Sequence, residues 1–139
     1  MNINEFRLKH SELIEHYQFI EHHLEGIYAA ISEKPFIDGL EDVEESTIGK
    51  IVSKIKKIES TQNTLIICEE VYTRIEKAYV RRNFWCHNCY VDMLFKINGD
   101  IIRDEDVNTL INDLIEAENL REVLYQIKLS LLRSNPPKY

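Results

Sequence analysis

The strongest constraint on how this chain folds is the spacing of its first apolar run. Ile3, Phe6, His10, Leu13, Ile14, Tyr17, Ile20, Leu24, Ile27, Tyr28 and Ile31 recur at steps of three and four, which on a helix gathers them into one stripe. A stripe of that length cannot be buried by the helix that carries it, so the rest of the chain must supply the covering elements. Only four glycines and three prolines occur in 139 residues, and so few chain breakers favour long helices over a turn-rich β fold.

The remaining segments extend the pattern. Pro35 and Gly39 are expected to end the first helix, and the acidic stretch Asp38, Glu41, Asp42, Glu44, Glu45 reads as a solvated loop. Ser46 or Thr47 can cap a second helix with a buried stripe of Ile48, Ile51, Val52, Ile55 and Ile58, opposite Lys50, Lys54 and Lys57. A third runs through Leu65, Cys68, Val71, Tyr72, Ile75 and Tyr79, and the aromatic segment from Phe84 to Phe95 reads as a buried or partner-facing helix. After a turn at Asn98 and Gly99, Asp104 can cap a last helix from Val107 to Leu132 that stops before Pro136 and Pro137. The expectation is one all-α domain over residues 1–139, an up-and-down bundle of four or five helices.

Charge excludes some functions. A net charge of −7 argues against a nucleic-acid or anionic-membrane binder held by charge alone, so any phosphate contact must be local. Glu5, Arg7, Lys9, Glu12, Glu15, Glu21 and Glu25 interrupt the first thirty residues, leaving no apolar signal core, and no stretch reaches the apolar length of a membrane span. A cytoplasmic protein with its three cysteines reduced is expected.

The chemically pointed feature is Arg81-Arg82-Asn83-Phe84-Trp85-Cys86-His87. On a regular helix Asn83 and His87 share a face, whereas Arg82 lies about 140° round from His87. The two converge if the helix is interrupted near Arg81 to Asn83, or if a second protomer supplies the complementary residue. Together they suit RNA phosphodiester chemistry: arginine holds the phosphate and stabilises its added charge, and histidine moves a proton near neutral pH without a metal or other cofactor.

Arg82, Asn83 and His87 resemble the signature of the HEPN superfamily, helical domains marked by Arg, four to six residues, then His, often with Asn directly after the Arg. Arg81-Arg82-Asn83-Phe84 with His87, the apolar run from Tyr90 to Phe95 and the final helix from Asp104 are similar to one HEPN-like subgroup, as is Thr47-Ile48-Gly49-Lys50-Ile51-Val52 upstream. The resemblance implies a metal-independent endoribonuclease working as a homodimer, with Arg82 on the phosphate, His87 as acid and base, and Asn83 orienting the His or the scissile group. It further implies the toxin of a toxin-antitoxin or phage-defence module with a nucleotidyltransferase-like antitoxin. The alternative is an inactive HEPN-like binding module. Arg74, Lys77 and Arg81 form the local basic cluster that would meet RNA.

Other motifs carry less. Cys86 and Cys89 flank His87, but adjacent helical residues point about 100° apart, which disfavours a shared zinc ion. His10, His16 and His22 fall on different faces and read as interface or surface residues, and Glu12 with His16 lacks the matching carboxylates of a di-metal bundle. Lys50, Lys54, Lys56 and Lys57 read as a solvated face. There is no Gly-rich phosphate loop, Ser nucleophile motif or H-E-x-x-H.

Overall fold

A computed structural model describes residues 1–94 and 101–136. The turn expected at Asn98 and Gly99, together with Phe95 and Pro137, lies outside the described residues. Within them the chain is an all-α bundle of six helices: α1 (Ile3–Ile31), α2 (Phe36–Val43), α3 (Ile48–Gln62), α4 (Glu69–His87), α5 (Cys89–Leu94) and α6 (Asp104–Ser134). No helix among these residues is long and apolar enough to cross a membrane.

The starts of α1 and α3 are locally encoded. Asn2 accepts from the Glu5 amide at 2.9 Å while the Glu5 carboxylate accepts from the Asn2 amide at 3.0 Å, a reciprocal cap on α1. Thr47 caps α3 by accepting from the Lys50 amide. The last helix begins one residue earlier than a cap at Asp104 would place it: Arg103 is the cap, and Asp104, Glu105 and Asp106 fill the first turn, where negative charge suits the helix dipole. The third predicted helix starts later than expected, at Glu69, leaving Leu65 outside it and 76% exposed.

Two further expectations are corrected. The segment from Phe84 is not one separate helix: Phe84 to His87 complete α4, and α5 begins at Cys89. The acidic stretch after Pro35 is not a loop but α2, with Phe36, Leu40 and Val43 turned inward to varying depth and Asp38, Glu41 and Glu44 outward. Pro35 stands at the cap, where its missing N–H costs nothing. Gly39 permits close packing rather than ending a helix, because a Cβ there would lie 2.9 Å from the Ala29 Cα.

Cross-bundle contacts give the direction of each leg. Tyr28 meets Asp42, Glu59 near the end of α3 meets Tyr72 near the start of α4, Arg82 approaches Glu21, Arg81 pairs with Asp113, and His16 and His23 meet Arg121 and Lys128. The legs therefore run up, down, up, down and up through α1, α2, α3, α4 and α6, and the odd number makes α1 and α6 parallel neighbours. Their seam holds the centre of the core: Phe6, Leu13, Ile20, Leu24 and Ile27 of α1 against Leu110, Leu120 and Leu124 of α6, all at most 1% exposed. Burying each such side chain contributes about 1.5–3 kcal/mol.

The outer edge of this seam is polar. His23 is buried, and its Nδ1 accepts from Lys128 Nζ at 2.9 Å. Lys128 reaches it by lying across Gly26, where a Cβ would stand 2.6 Å from the lysine Cδ. Burial, reinforced by the cations of Lys128 and Arg121, pushes the His23 imidazole down to about 4. Between the ordinary histidine value near 6.5 and 4 the unfolded chain binds a proton that the folded one refuses, so stability is full above that window and falls as pH drops through it. We predict that denaturant titrations at pH 6.5 and 4.5 will show the wild type losing about 2 kcal/mol more than His23→Gln. Equal losses would contradict the assignment.

Candidate functional site

Helix α4 carries the Arg-Asn-x-x-x-His run without interruption from Glu69 to His87. The break contemplated near Arg81 to Asn83 is therefore absent, and the chain leaves helical geometry only at Asn88, with φ −121° and ψ −17°. Nothing in the run opposes helix, and Trp85, 1% exposed, anchors α4 in the core from within the motif.

The helical phase sends the motif residues in three directions. Ala78 and Trp85 face the core. Arg81 turns toward α6, where its Nε donates to Asp113 Oδ2 at 2.6 Å, and the Trp85 indole N–H donates to the same oxygen at 2.7 Å. Arg82 turns the other way, toward α1, with Nη2 3.8 Å from Glu21 Oε2. His87, the last residue of α4, faces solvent, and Asn83, one turn earlier on the same face, is half-buried. Val80, a heptad before His87 and about 20° from it around the axis, is 60% exposed. The chain by itself thus brings Asn83 and His87 onto one face and holds Arg82 off it.

The cations of the expected RNA-binding cluster differ in how firmly they are held. Arg74 donates to Glu116 at 2.7 Å and Arg81 to Asp113 at 2.6 Å, so both spend charge inside the chain. Lys77 is exposed and lines, with Arg81, a pocket of about 220 Å³ that also contains Asp113 and Glu116. Its cations face carboxylates, which leaves little attraction for phosphate. Arg82 is the least committed of the three arginines.

The cysteines flanking His87 part company. Cys86 is exposed, while Cys89 is buried with its thiol donating to the Trp85 carbonyl at 3.2 Å, and burial pushes that thiol up to about 11. Among the described residues no three His, Cys, Asp or Glu side chains converge as metal ligands.

Two contributors escaped the sequence. Asp113 lies between Leu110 and Leu114 on α6, and an acid set within an apolar stripe is the signal that a buried donor awaits it. His10 reads as one more position in the α1 stripe, yet its ring accepts or donates three contacts: Nε2 to the Trp85 carbonyl at 2.9 Å, Nδ1 to the Tyr90 hydroxyl at 3.1 Å and Nε2 to Cys89 Sγ at 3.7 Å. Of the other α1 histidines expected at an interface or surface, His22 is exposed, whereas His16 meets Arg121 at 3.2 Å.

No family model, curated protein or solved structure matches the chain.

Because one oxygen of Asp113 serves both Arg81 and the buried indole, neutralising it weakens two charge-assisted bonds at once. Asp113→Asn should cost about 1–3 kcal/mol in chemical denaturation. The same variant in Trp85→Phe should lose less, since the indole no longer needs an acceptor, and an additive pair would contradict the shared bond.

Proposed function

We propose that the chain is a HEPN-like, metal-independent endoribonuclease that acts as a homodimer, with Arg82 of one protomer and His87 of the other lining each reactive cleft. The observation that carries this reading is the contrast along α4: Arg74 and Arg81 are locked to carboxylates, while Arg82 is held only at 3.8 Å and His87 stands exposed on the outward face. The two residues best able to act on a substrate are the two the motif names. Their divergence within one rigid helix is what a composite, two-chain site requires.

In the proposed reaction His87 takes the proton from a ribose 2′-hydroxyl as its oxygen attacks the adjacent phosphorus. Arg82 stabilises the charge that accumulates on the non-bridging oxygens, and the P–O5′ bond breaks. The leaving 5′-oxygen takes that proton from the His87 imidazolium, which restores the base, and the other fragment ends in a cyclic phosphate. Asn83, one turn below His87, orients the imidazole or the scissile group. The resemblance further supports the toxin of a toxin-antitoxin or phage-defence module, restrained by a nucleotidyltransferase-like antitoxin.

A second reading, an inactive binding module of the same fold, is favoured by Glu21 beside Arg82 and by the net charge of −7. The two are separated by mixing variants. Arg82→Ala and His87→Ala should each lose roughly 10²- to 10⁴-fold in RNA cleavage measured in chelator. Refolded together, they should recover roughly a quarter of wild-type activity, because half the dimers are mixed and each has one intact Arg82–His87 pair. Cleavage that survives in His87→Ala would contradict the nuclease reading, and no recovery on mixing would contradict the two-chain site.

A further inference from the structure

We infer that His10 of α1 is a positioning residue for His87: by clasping the carbonyl end of α4 it fixes where that helix stops and so keeps the His87 face uncovered. The inference rests on the nuclease reading for its catalytic consequence, while its structural content stands apart from it.

Every helix end leaves carbonyls without an intrahelical partner. At the end of α4 the Asn88 amide still donates to the Phe84 carbonyl at 3.0 Å, and Asn88 then turns out of helical geometry. The next carbonyl, that of Trp85, accepts instead from His10 Nε2 at 2.9 Å and from the Cys89 thiol at 3.2 Å. A carbonyl only accepts, so His10 Nε2 carries a proton, and the other ring nitrogen, Nδ1, lies 3.1 Å from the Tyr90 hydroxyl. One ring from α1 thereby holds the last turn of α4 through Trp85 and the first turn of α5 through Tyr90, and His87 lies between the two grips.

Packing reinforces the clasp. The Tyr90 ring meets His10 edge-on at 5.0 Å between centroids, and Phe6, fully buried one turn earlier on α1, packs against both Trp85 and Tyr90 at 6.3 Å. If the Trp85 carbonyl took the Cys89 amide instead, α4 would run on into α5. Val91, four residues beyond His87, would then lie over the His87 face. The break at Asn88 prevents this, and the sequence contains no glycine or proline there to impose it. The stop is supplied from outside the helix, by a residue 75 positions away.

The test uses His10→Phe, which keeps an aromatic ring but removes both ring nitrogens, and His10→Gln, whose amide can still donate to the Trp85 carbonyl. Titration of the His87 ring protons by NMR and amide exchange at Asn88 to Asp92 report the geometry, and RNA cleavage reports its consequence. In His10→Phe the His87 resonance and its titration midpoint should move, exchange at Asn88 to Asp92 should quicken, and kcat should fall roughly ten- to a hundredfold with KM little changed. His10→Gln should restore most of each. An unaltered His87 titration and unchanged kcat in a folded His10→Phe would overturn the inference while leaving the nuclease reading intact. A shifted His87 in a chain whose wild type cleaves no RNA would uphold the clasp and defeat the nuclease reading. Should His10→Phe not fold, His10→Ala against Tyr90→Phe decides: loss of the Tyr90 hydroxyl alone must perturb His87 less than loss of the Trp85 bond does in His10→Ala, and an equal or larger effect of Tyr90→Phe would overturn the inference.

Discussion

The apolar stripe of α1, buried on several sides at once, is the constraint from which the other positions in the molecule follow. Phe6, Leu13, Ile20, Leu24 and Ile27 are at most 1% exposed because α6 runs parallel to them along one seam while α2, α3 and α4 close the remaining sides. A helix whose apolar stripe meets four other helices fixes them in phase as well as in place, since close-packed side chains tolerate little rotation. The phase of α4 is therefore not free. Trp85 must enter the core, its indole must find Asp113, and Arg81 and Arg82 are left to diverge toward α6 and α1.

That phase decides what the motif can do. Five residues along an unbroken helix separate Arg82 from His87 by about 140°, and the anchoring of Trp85 between them removes any slack that would let the two converge. Chemistry that uses both side chains on one phosphate must then draw on two chains. The acids sort the cations further: Asp113 and Glu116 hold Arg81 and Arg74 tightly, and Glu21 holds Arg82 loosely. Of the three arginines on α4, Arg82 is the one least tightly bound to a carboxylate.

Much of the bundle was legible because its rules are local. The stripe from Ile3 to Ile31, the Thr47 cap and the divergence of Arg82 from His87 all follow from helical periodicity and capping chemistry. The acidic segment after Pro35 misled because proline and glycine read as terminators. Here Pro35 opens α2 and Gly39 admits close contact with α1, and both roles depend on a neighbour that is far away in the chain. The end of α4 was misplaced for the same reason. Neither the run itself nor Asn88 encodes a strong stop, and the group that completes it, His10, sits inside a periodic apolar stripe where its ring nitrogens leave no mark on the pattern. Asp113 was missed although its place among leucines hinted at a buried donor.

The central claim is that a reactive site exists only where two copies of α4 meet. It is tested most directly by measuring specific RNA-cleaving activity per chain while the protein is diluted through the range in which sedimentation follows its mass. Activity that falls in proportion to the dimer fraction and vanishes with the monomer is the expected result. Activity per chain that stays constant as the species becomes monomeric would contradict the account.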